Sequence, residues 1–399
     1  MLNKDYHQTF LKQIRLAPQS VSCIGTLVSP GELEKSVPAE QLKATNRVIL
    51  TGCGDDYCAA LAAKPLYEQI ETPSGIRPAN RTEAERGIVF SRYYDTYRKF
   101  WLDDQNAGPN RVNPLICCVS VSGSSSRAVE VMRRAGKYQS VPVAFTGDLQ
   151  NDVAKSAPYA VNLNVTAQDQ MPSVSTYVAA LSALCRFGLH YCTIKGQLTP
   201  SAASQQWDAA LHYAGSFTKE VMDRIEEQSR QMARHWVNSG MKQMELVADG
   251  PDHATALLGS IKMVESFGGL TDVTDSEEWC RRNYFGRFPQ QTATFVIANL
   301  TSPSFARTCE MIRSAVATGR MVAVITDAPE VYFPRQALVI RMPAAKYRWC
   351  SPLLQHLPMD FAAAWIASLQ NMPAYRTDNP RYGKDKNDIR LRMSQIVTL

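Results

Sequence analysis

The sequence predicts an α/β protein built from two doubly wound parallel-sheet domains in tandem. Three observations predict it. Short apolar runs alternate with longer helix-period segments. The runs are continuous rather than alternating, as strands covered on both faces must be. The pattern also occurs twice at a nearly constant offset: Thr294 follows Leu115 by 179 residues, Met321 follows Val141 by 180 and Ala337 follows Ala160 by 177.

In the first copy, residues 47–50 form a strand that enters Thr51-Gly52-Cys53-Gly54, and a helix follows from about 56 to 70. Residues 114–121 form a second strand, which enters Ser122-Gly123-Ser124-Ser125-Ser126 and a helical segment ending at Lys137. Residues 141–146 and 160–165 complete the copy. In the second copy the strand at 245–248 enters Asp249-Gly250-Pro251-Asp252 and a helix to about Phe267. The strand at 294–300 enters Thr301-Ser302-Pro303-Ser304 and a helix to about Ala317. Residues 321–326 and 337–342 close the set. Glu245 follows Arg47 by 198 residues, an excess of about one helix. The expected organisation is a helical arm at 1–45, a first domain at 46–200, a polar connection at 199–208, a second domain at 212–345, and a C-terminal helix and tail at 346–399 that close the site.

Composition narrows the function classes. Of 399 residues, 45% are hydrophobic and 20% charged, enough for sizeable cores, and 21 Gly with 22 Pro exclude a collagen-like chain. The net charge of +6 is spread along the sequence. The densest basic stretch, 376–392, is diluted by Asp378, Asp385 and Asp388, so the surface suits a small anionic substrate better than nucleic acid. No run is long and apolar enough to span a membrane, and residues 1–16 lack a signal-peptide core. The ten cysteines contain no CxxC and no zinc spacing, which leads us to expect free thiols in the cytoplasm and no metal.

In open α/β sheets, ligands bind beyond the carboxyl ends of the strands, where helix N-termini present free N–H groups. Ser120-Val121-Ser122-Gly123-Ser124-Ser125-Ser126 lies between such a strand and a helix. Helix capping would need one serine, and the five here fit a phosphate seat better. The turn Gly52-Cys53-Gly54-Asp55-Asp56-Tyr57 permits close backbone approach, but its aspartates oppose a second phosphate. The matching turn of the second copy carries Pro303 and no comparable glycine, so one phosphate site per chain is expected. On the 252–267 helix, apolar residues at 254, 257, 258, 261, 264 and 267 define a face, with Glu265 at its margin and Lys262 one turn earlier. Spacing alone reads that pair as a surface ion pair.

At Gly52-Cys53-Gly54, Ser120 to Ser126 and Lys262-Met263-Val264-Glu265, the chain resembles tandem sugar-isomerase (SIS) proteins. These include the isomerase half of glucosamine-6-phosphate synthase, phosphosugar isomerases, deaminases and fructosamine-6-phosphate deglycases. The resemblance runs from about residue 40 to Pro380-Arg381 and implies flavodoxin-like domains in a homodimer whose site the partner subunit completes. Residues 1–40 are too short for the synthase's glutaminase half, so glutamine-dependent amination is not expected. The resemblance implies phosphate binding by Ser120, Ser122 and Ser125 and substrate contact by Ser175; Gly54, Asp56, Gly123, Ser124 and Lys262 are further candidates for phosphate or substrate binding. The resemblance makes Glu265 the catalytic base, its pKa raised by partial burial, and places Lys384, or Lys386, near the sugar oxygens. Two positions depart from the family. Asp56 stands where relatives carry serine. Arg281 stands where relatives carry a histidine, so a proton would have to come from Glu277 or Glu278, or Arg281 would hold a substrate carboxylate instead.

The expected activity is therefore that of a phosphosugar isomerase, deaminase or deglycase acting on an amino-substituted hexose phosphate through an enediol or enolamine, without a cofactor. A non-catalytic sugar-phosphate sensor is the alternative. A dinucleotide-dependent oxidoreductase is the weakest reading, because Tyr57 occupies the place of the third glycine.

Overall fold

The computed structural model of the chain describes residues 6–72, 75–96, 113–138, 140–165, 172–379 and 393–399. Their contacts divide them into two compact units. The first comprises the described residues of 19–165, 175–211 and 393–399; the second comprises those of 6–18, 172–174 and 212–379.

The first unit contains β1 (Arg47–Gly52), β2 (Gln69–Thr72), β3 (Gly75–Pro78), β4 (Thr82–Arg86), β5 (Pro114–Val119), β6 (Val141–Thr146) and β7 (Tyr159–Asn162). β2 and β3 form a separate antiparallel pair. The other five make a parallel sheet in the order β4-β1-β5-β6-β7. Every residue of β1, β5 and β6 is buried, which is why these strands read as unbroken apolar runs. On one face Ile49, Ile116 and Ala144 pack with Val129, Met132 and Ala135 of the Ser126–Lys137 helix. The Asp55–Glu68 helix packs along the Ser175–Ile194 helix.

The second unit repeats the plan with β8 (Gln243–Val247), β9 (Leu270–Thr274), β10 (Thr292–Ile297), β11 (Met321–Thr326) and β12 (Leu338–Arg341). They are all parallel, in the order β12-β11-β10-β8-β9. Both sheets thus share one doubly wound topology, in which the direction of winding reverses beside the first strand. The reversal falls between β1 and β5 in one unit and between β8 and β10 in the other.

The doubly wound parallel fold agrees with the sequence expectation, and β6 and β11 fall on the expected residues. The edge strands β4 and β9 were not anticipated. Their sequences, Thr-Glu-Ala-Glu-Arg and Leu-Thr-Asp-Val-Thr, are only partly buried, so they show no apolar run. The expected polar connection at 199–208 is mostly helical, part of the Pro200–Gly215 helix. Residues 6–44 form helices Tyr6–Leu27, Pro30–Ser36 and Ala39–Ala44. Segment 346–399 is shared out: its helix Leu357–Leu369 packs in the second unit on helices Lys219–Asn238 and His253–Phe267, while residues 393–399 belong to the first.

No described helix is long and apolar enough to cross a membrane. None of the ten cysteines forms a disulfide. Among the described residues no three His, Cys, Asp or Glu are grouped to hold a metal ion.

The tail docks through one buried carboxylate. Glu130 receives Arg92 at 2.8 Å, Arg127 at 2.9 Å and the Val397 N–H at 2.5 Å. Arg127 also donates to the Gln395 carbonyl, and Lys137 donates to that of Thr398 at 3.1 Å. Glu130→Ala leaves two arginines without their shared acceptor and is expected to cost roughly 3 kcal/mol in urea unfolding. The Val397 amide should then exchange its hydrogen faster than in the native chain.

Candidate active site

The reversal point of the first sheet brings two turns together at the carboxyl ends of β1 and β5. The first, Gly52-Cys53-Gly54, leads into the Asp55–Glu68 helix. Gly54, its N-cap, has φ +59° and ψ −127°, a conformation that only glycine adopts readily. The second turn is Ser120 to Ser126. Gly123 has φ +64°, and a Cβ there would collide with the Asn151 amide. That amide is fixed: it donates to Thr146 Oγ1 at 2.6 Å and accepts from the Ala154 N–H at 3.0 Å.

The serines are not consumed in capping. Ser125 is the N-cap of the Ser126–Lys137 helix, yet its side chain makes no cap hydrogen bond; its hydroxyl bonds Cys53 Sγ instead. Ser124 Oγ donates to Ser122 Oγ at 3.3 Å, and Ser122 is exposed. Ser120 is only 1% exposed, and its hydroxyl has no partner among the described residues. Thr51, at the end of the neighbouring strand, is equally buried and equally unsatisfied. Two orphan hydroxyls on adjacent strand ends are costly unless something polar reaches them.

Cys53 joins the two turns. Burial pushes its thiol pKa up and the charge of Asp56 adds to this, while the Ser125 hydroxyl, the Gly87 backbone and Arg127 act in the opposite sense. Neither Cys53 nor Asn151 was singled out from the sequence as a ligand-site residue. Their roles depend on contacts between distant segments, which no local pattern reveals. Ser175 begins the Ser175–Ile194 helix.

In the second unit the equivalent point is already filled. Asp249, at the end of β8, accepts from the Ser276 N–H at 2.7 Å, Ser276 Oγ at 2.8 Å and Thr308 Oγ1 at 2.8 Å. Burial pushes its carboxyl upward, but these bonds and one from Ser304 outweigh burial and hold it below its ordinary value. Ser304 is the N-cap of the Phe305–Ala317 helix. The chain's own carboxylate therefore sits among the donors that a bound anion would use.

Glu265 lies elsewhere in that unit. It is in the last turn of the His253–Phe267 helix, roughly 18 Å along the axis from the helix start. It does not serve the crevice at the carboxyl edge of its own sheet. Its Oε2 is 2.9 Å from Lys262 Nζ; the lysine side chain is 1% exposed and the glutamate 25%. The pair is thus not the surface bridge that spacing suggests. The helical face also needs correction. Val264 is 47% exposed, while Thr255, Gly259, Lys262, Met263 and Ser266 are buried. Three of those buried residues are polar, and this masked the true face from a count of apolar positions.

Arg281 ends the short Ser276–Arg281 helix, 68% exposed, with its guanidinium 3.0 Å from Glu277. Glu277 also binds Arg307 at 2.8 Å. Arg307 first, then Arg281, holds its carboxyl below the ordinary range, which does not suit a proton donor near neutral pH. Glu278 is exposed. Lys384 and Lys386 lie outside the described residues.

No family model matches the chain, and no curated protein matches it in sequence. Solved structures do. The C-terminal domain of glucosamine-fructose-6-phosphate aminotransferase from Francisella tularensis superposes with a TM-score of 0.76 at 15% identity, covering 92% of this chain and 97% of that one. The chain has the tandem sugar-isomerase fold. Glucosamine-6-phosphate deaminase from Thermotoga maritima matches this tandem fold at 0.65, with 14% identity over 94% and 98% of the two chains. Tagatose-6-phosphate ketose/aldose isomerase from Escherichia coli matches at 0.62, with 12% identity over 92% and 93%.

The second unit also offers a titration test. Burial raises the Asp252 pKa to about 7; Asn299, donating at 2.8 Å, opposes this, while Asp327 and Asp249 add to it. Between about pH 4 and 7 the folded chain therefore holds a proton that the unfolded chain has lost, so stability falls as pH rises and levels off above 7. In Asp252→Asn that slope should vanish. Its melting temperature should match the native chain near pH 4 and exceed it by a margin that widens to about pH 7 and then levels off.

Proposed function

We propose that the chain is an enzyme acting on an amino-substituted hexose phosphate, with the phosphate seated in the first unit's serine turn and Glu265 as the base. The observation that carries this reading is the state of that turn. It has five serines and no side-chain cap bond, and the hydroxyl of Ser120 is buried without a described partner at the sheet's reversal point. A phosphate would satisfy these hydroxyls and meet the free N–H groups and positive end of the Ser126–Lys137 helix. The second unit supports the same logic by contrast, since Asp249 already occupies its donors.

With the phosphate held, the far end of the open-chain sugar is positioned rather than free. Glu265 takes the proton from the carbon beside the carbonyl, an enediol or enolamine forms, and return of the proton to the neighbouring carbon gives isomerisation. If an amine leaves and water takes its place, the outcome is deamination or deglycation. We further propose a homodimer in the cytoplasm, the dimer resting on the resemblance alone; sedimentation as a species of one chain's mass would refute it.

A sensor without turnover is the second reading. The observation that favours it is Arg281, which is exposed and turned onto Glu277. One variant separates the two. Glu265→Gln should bind glucosamine 6-phosphate with nearly native affinity, read as a ligand-induced rise in melting temperature. It should also lose about a hundredfold or more of the rate at which deuterium enters the substrate from heavy water. No exchange in the native chain with this or fructose 6-phosphate, despite binding, would establish the sensor.

A further inference from the structure

The inference rests on the proposed phosphosugar reading and concerns what holds the phosphate seat in shape. A turn that receives an anion has to offer N–H groups and keep its carbonyl oxygens occupied, since a free carbonyl would meet the anion with its negative end. In the serine turn three carbonyls are occupied. That of Ser120 accepts from the Gly123 N–H at 2.9 Å, that of Val121 from the Gly147 N–H at 3.0 Å and that of Gly123 from the Val153 N–H at 3.2 Å. The N–H groups of Ser122, Ser124 and Ser125 have no backbone acceptor among the described residues. The turn thus has the polarity of an anion nest before any ligand arrives.

Two of the three bonds come from one stretch, residues 146–154, where β6 passes into the short Asp152–Lys155 helix. This stretch runs close against the turn. A Cβ at Gly147 would lie 2.8 Å from the Val121 oxygen, and one at Gly123 would collide with the Asn151 amide. That amide therefore fills the space which the missing side chain of Gly123 leaves. Both of its polar atoms are tied: Nδ2 donates to Thr146 Oγ1 at 2.6 Å and Oδ1 accepts from the Ala154 N–H at 3.0 Å. Thr146 is itself wholly buried, so this anchor is fixed. The bond from Ala154 caps the Asp152–Lys155 helix, a task that serine or aspartate performs equally well. Capping accounts neither for the bond to Thr146 nor for the amide lying over Gly123.

We propose that Asn151 is a positioning residue for the phosphate seat. Wedged between Gly123 and Thr146, it holds the serine turn in the conformation that reserves its N–H groups for the anion. It acts through the turn rather than on the ligand. A turn free to relax would have to be ordered anew by each ligand, and affinity would fall by that cost.

Calorimetric titration of the full chain with glucosamine 6-phosphate and with fructose 6-phosphate, beside thermal melts, tests this. Asn151→Ser keeps a capping hydroxyl but opens the space over Gly123. Thr146→Val keeps the cap and the buried volume but removes the acceptor of the Asn151 amide. Both variants should stay folded at the titration temperature and bind on the order of tenfold more weakly than the native chain. Asn151→Ala, which loses cap and wedge together, should bind no better than Asn151→Ser. Native affinity in Asn151→Ser would show that Asn151 only caps its helix. That result, or native affinity in Thr146→Val, would overturn the positioning role while leaving the phosphosugar reading intact. Binding of neither compound by the native chain would overturn this inference together with the reading beneath it.

Discussion

A helix that starts at the carboxyl edge of a parallel sheet directs unpaired N–H groups and the positive end of its dipole into the crevice there. Something negative or hydroxylic has to meet them. This chain solves the problem three times in three ways. The Phe305–Ala317 helix is met by Asp249, with the Ser304 and Thr308 hydroxyls turned onto the same carboxylate. The Asp55–Glu68 helix carries its own carboxylates in its first turn. The Ser126–Lys137 helix has hydroxyls alone, and the one at its N-cap is spent on Cys53. Only the third arrangement is unfinished without a ligand. This difference, rather than the shared topology, marks the first unit as the place where an anion belongs.

The parts of the fold legible in the sequence were those whose burial is uniform. β5, β6 and β11 are buried over nearly their whole length, so their composition alone announces them. β4 and β9 have one neighbour each and partial cover, and residues such as Glu83, Glu85 and Asp272 can stand in them without penalty. An edge strand is defined by its pairing partner, which a local pattern does not contain. The serine turn could be read because five serines in seven residues exceed any capping need. Asp249 was visible as a residue but not as an internal anion, since Ser276 and Thr308 reach it from 27 and 59 positions away.

The Lys262–Glu265 pair shows where spacing misleads. A separation of three residues is the ordinary signature of a solvated helix pair worth a few tenths of a kcal/mol. Here the lysine is buried, and an ammonium in that position needs a counter-charge at fixed distance. The lysine therefore holds the carboxylate in place as much as it neutralises it. A carboxylate so fixed has a defined position, which rotamer freedom on a surface bridge would remove.

The arginine at position 281 bears on the supply of protons in the proposed reaction. Where the resemblance implies a histidine able to protonate a leaving group, Arg281 cannot release a proton, and Glu277 is held ionised by two arginines. Shifting a proton between adjacent carbons needs only one base, because the group that removes the proton can also return it. Expelling an amine needs more, since the nitrogen must carry a proton when its bond to carbon breaks. In the reading proposed above, a ligand already bearing an ammonium group brings that proton with it.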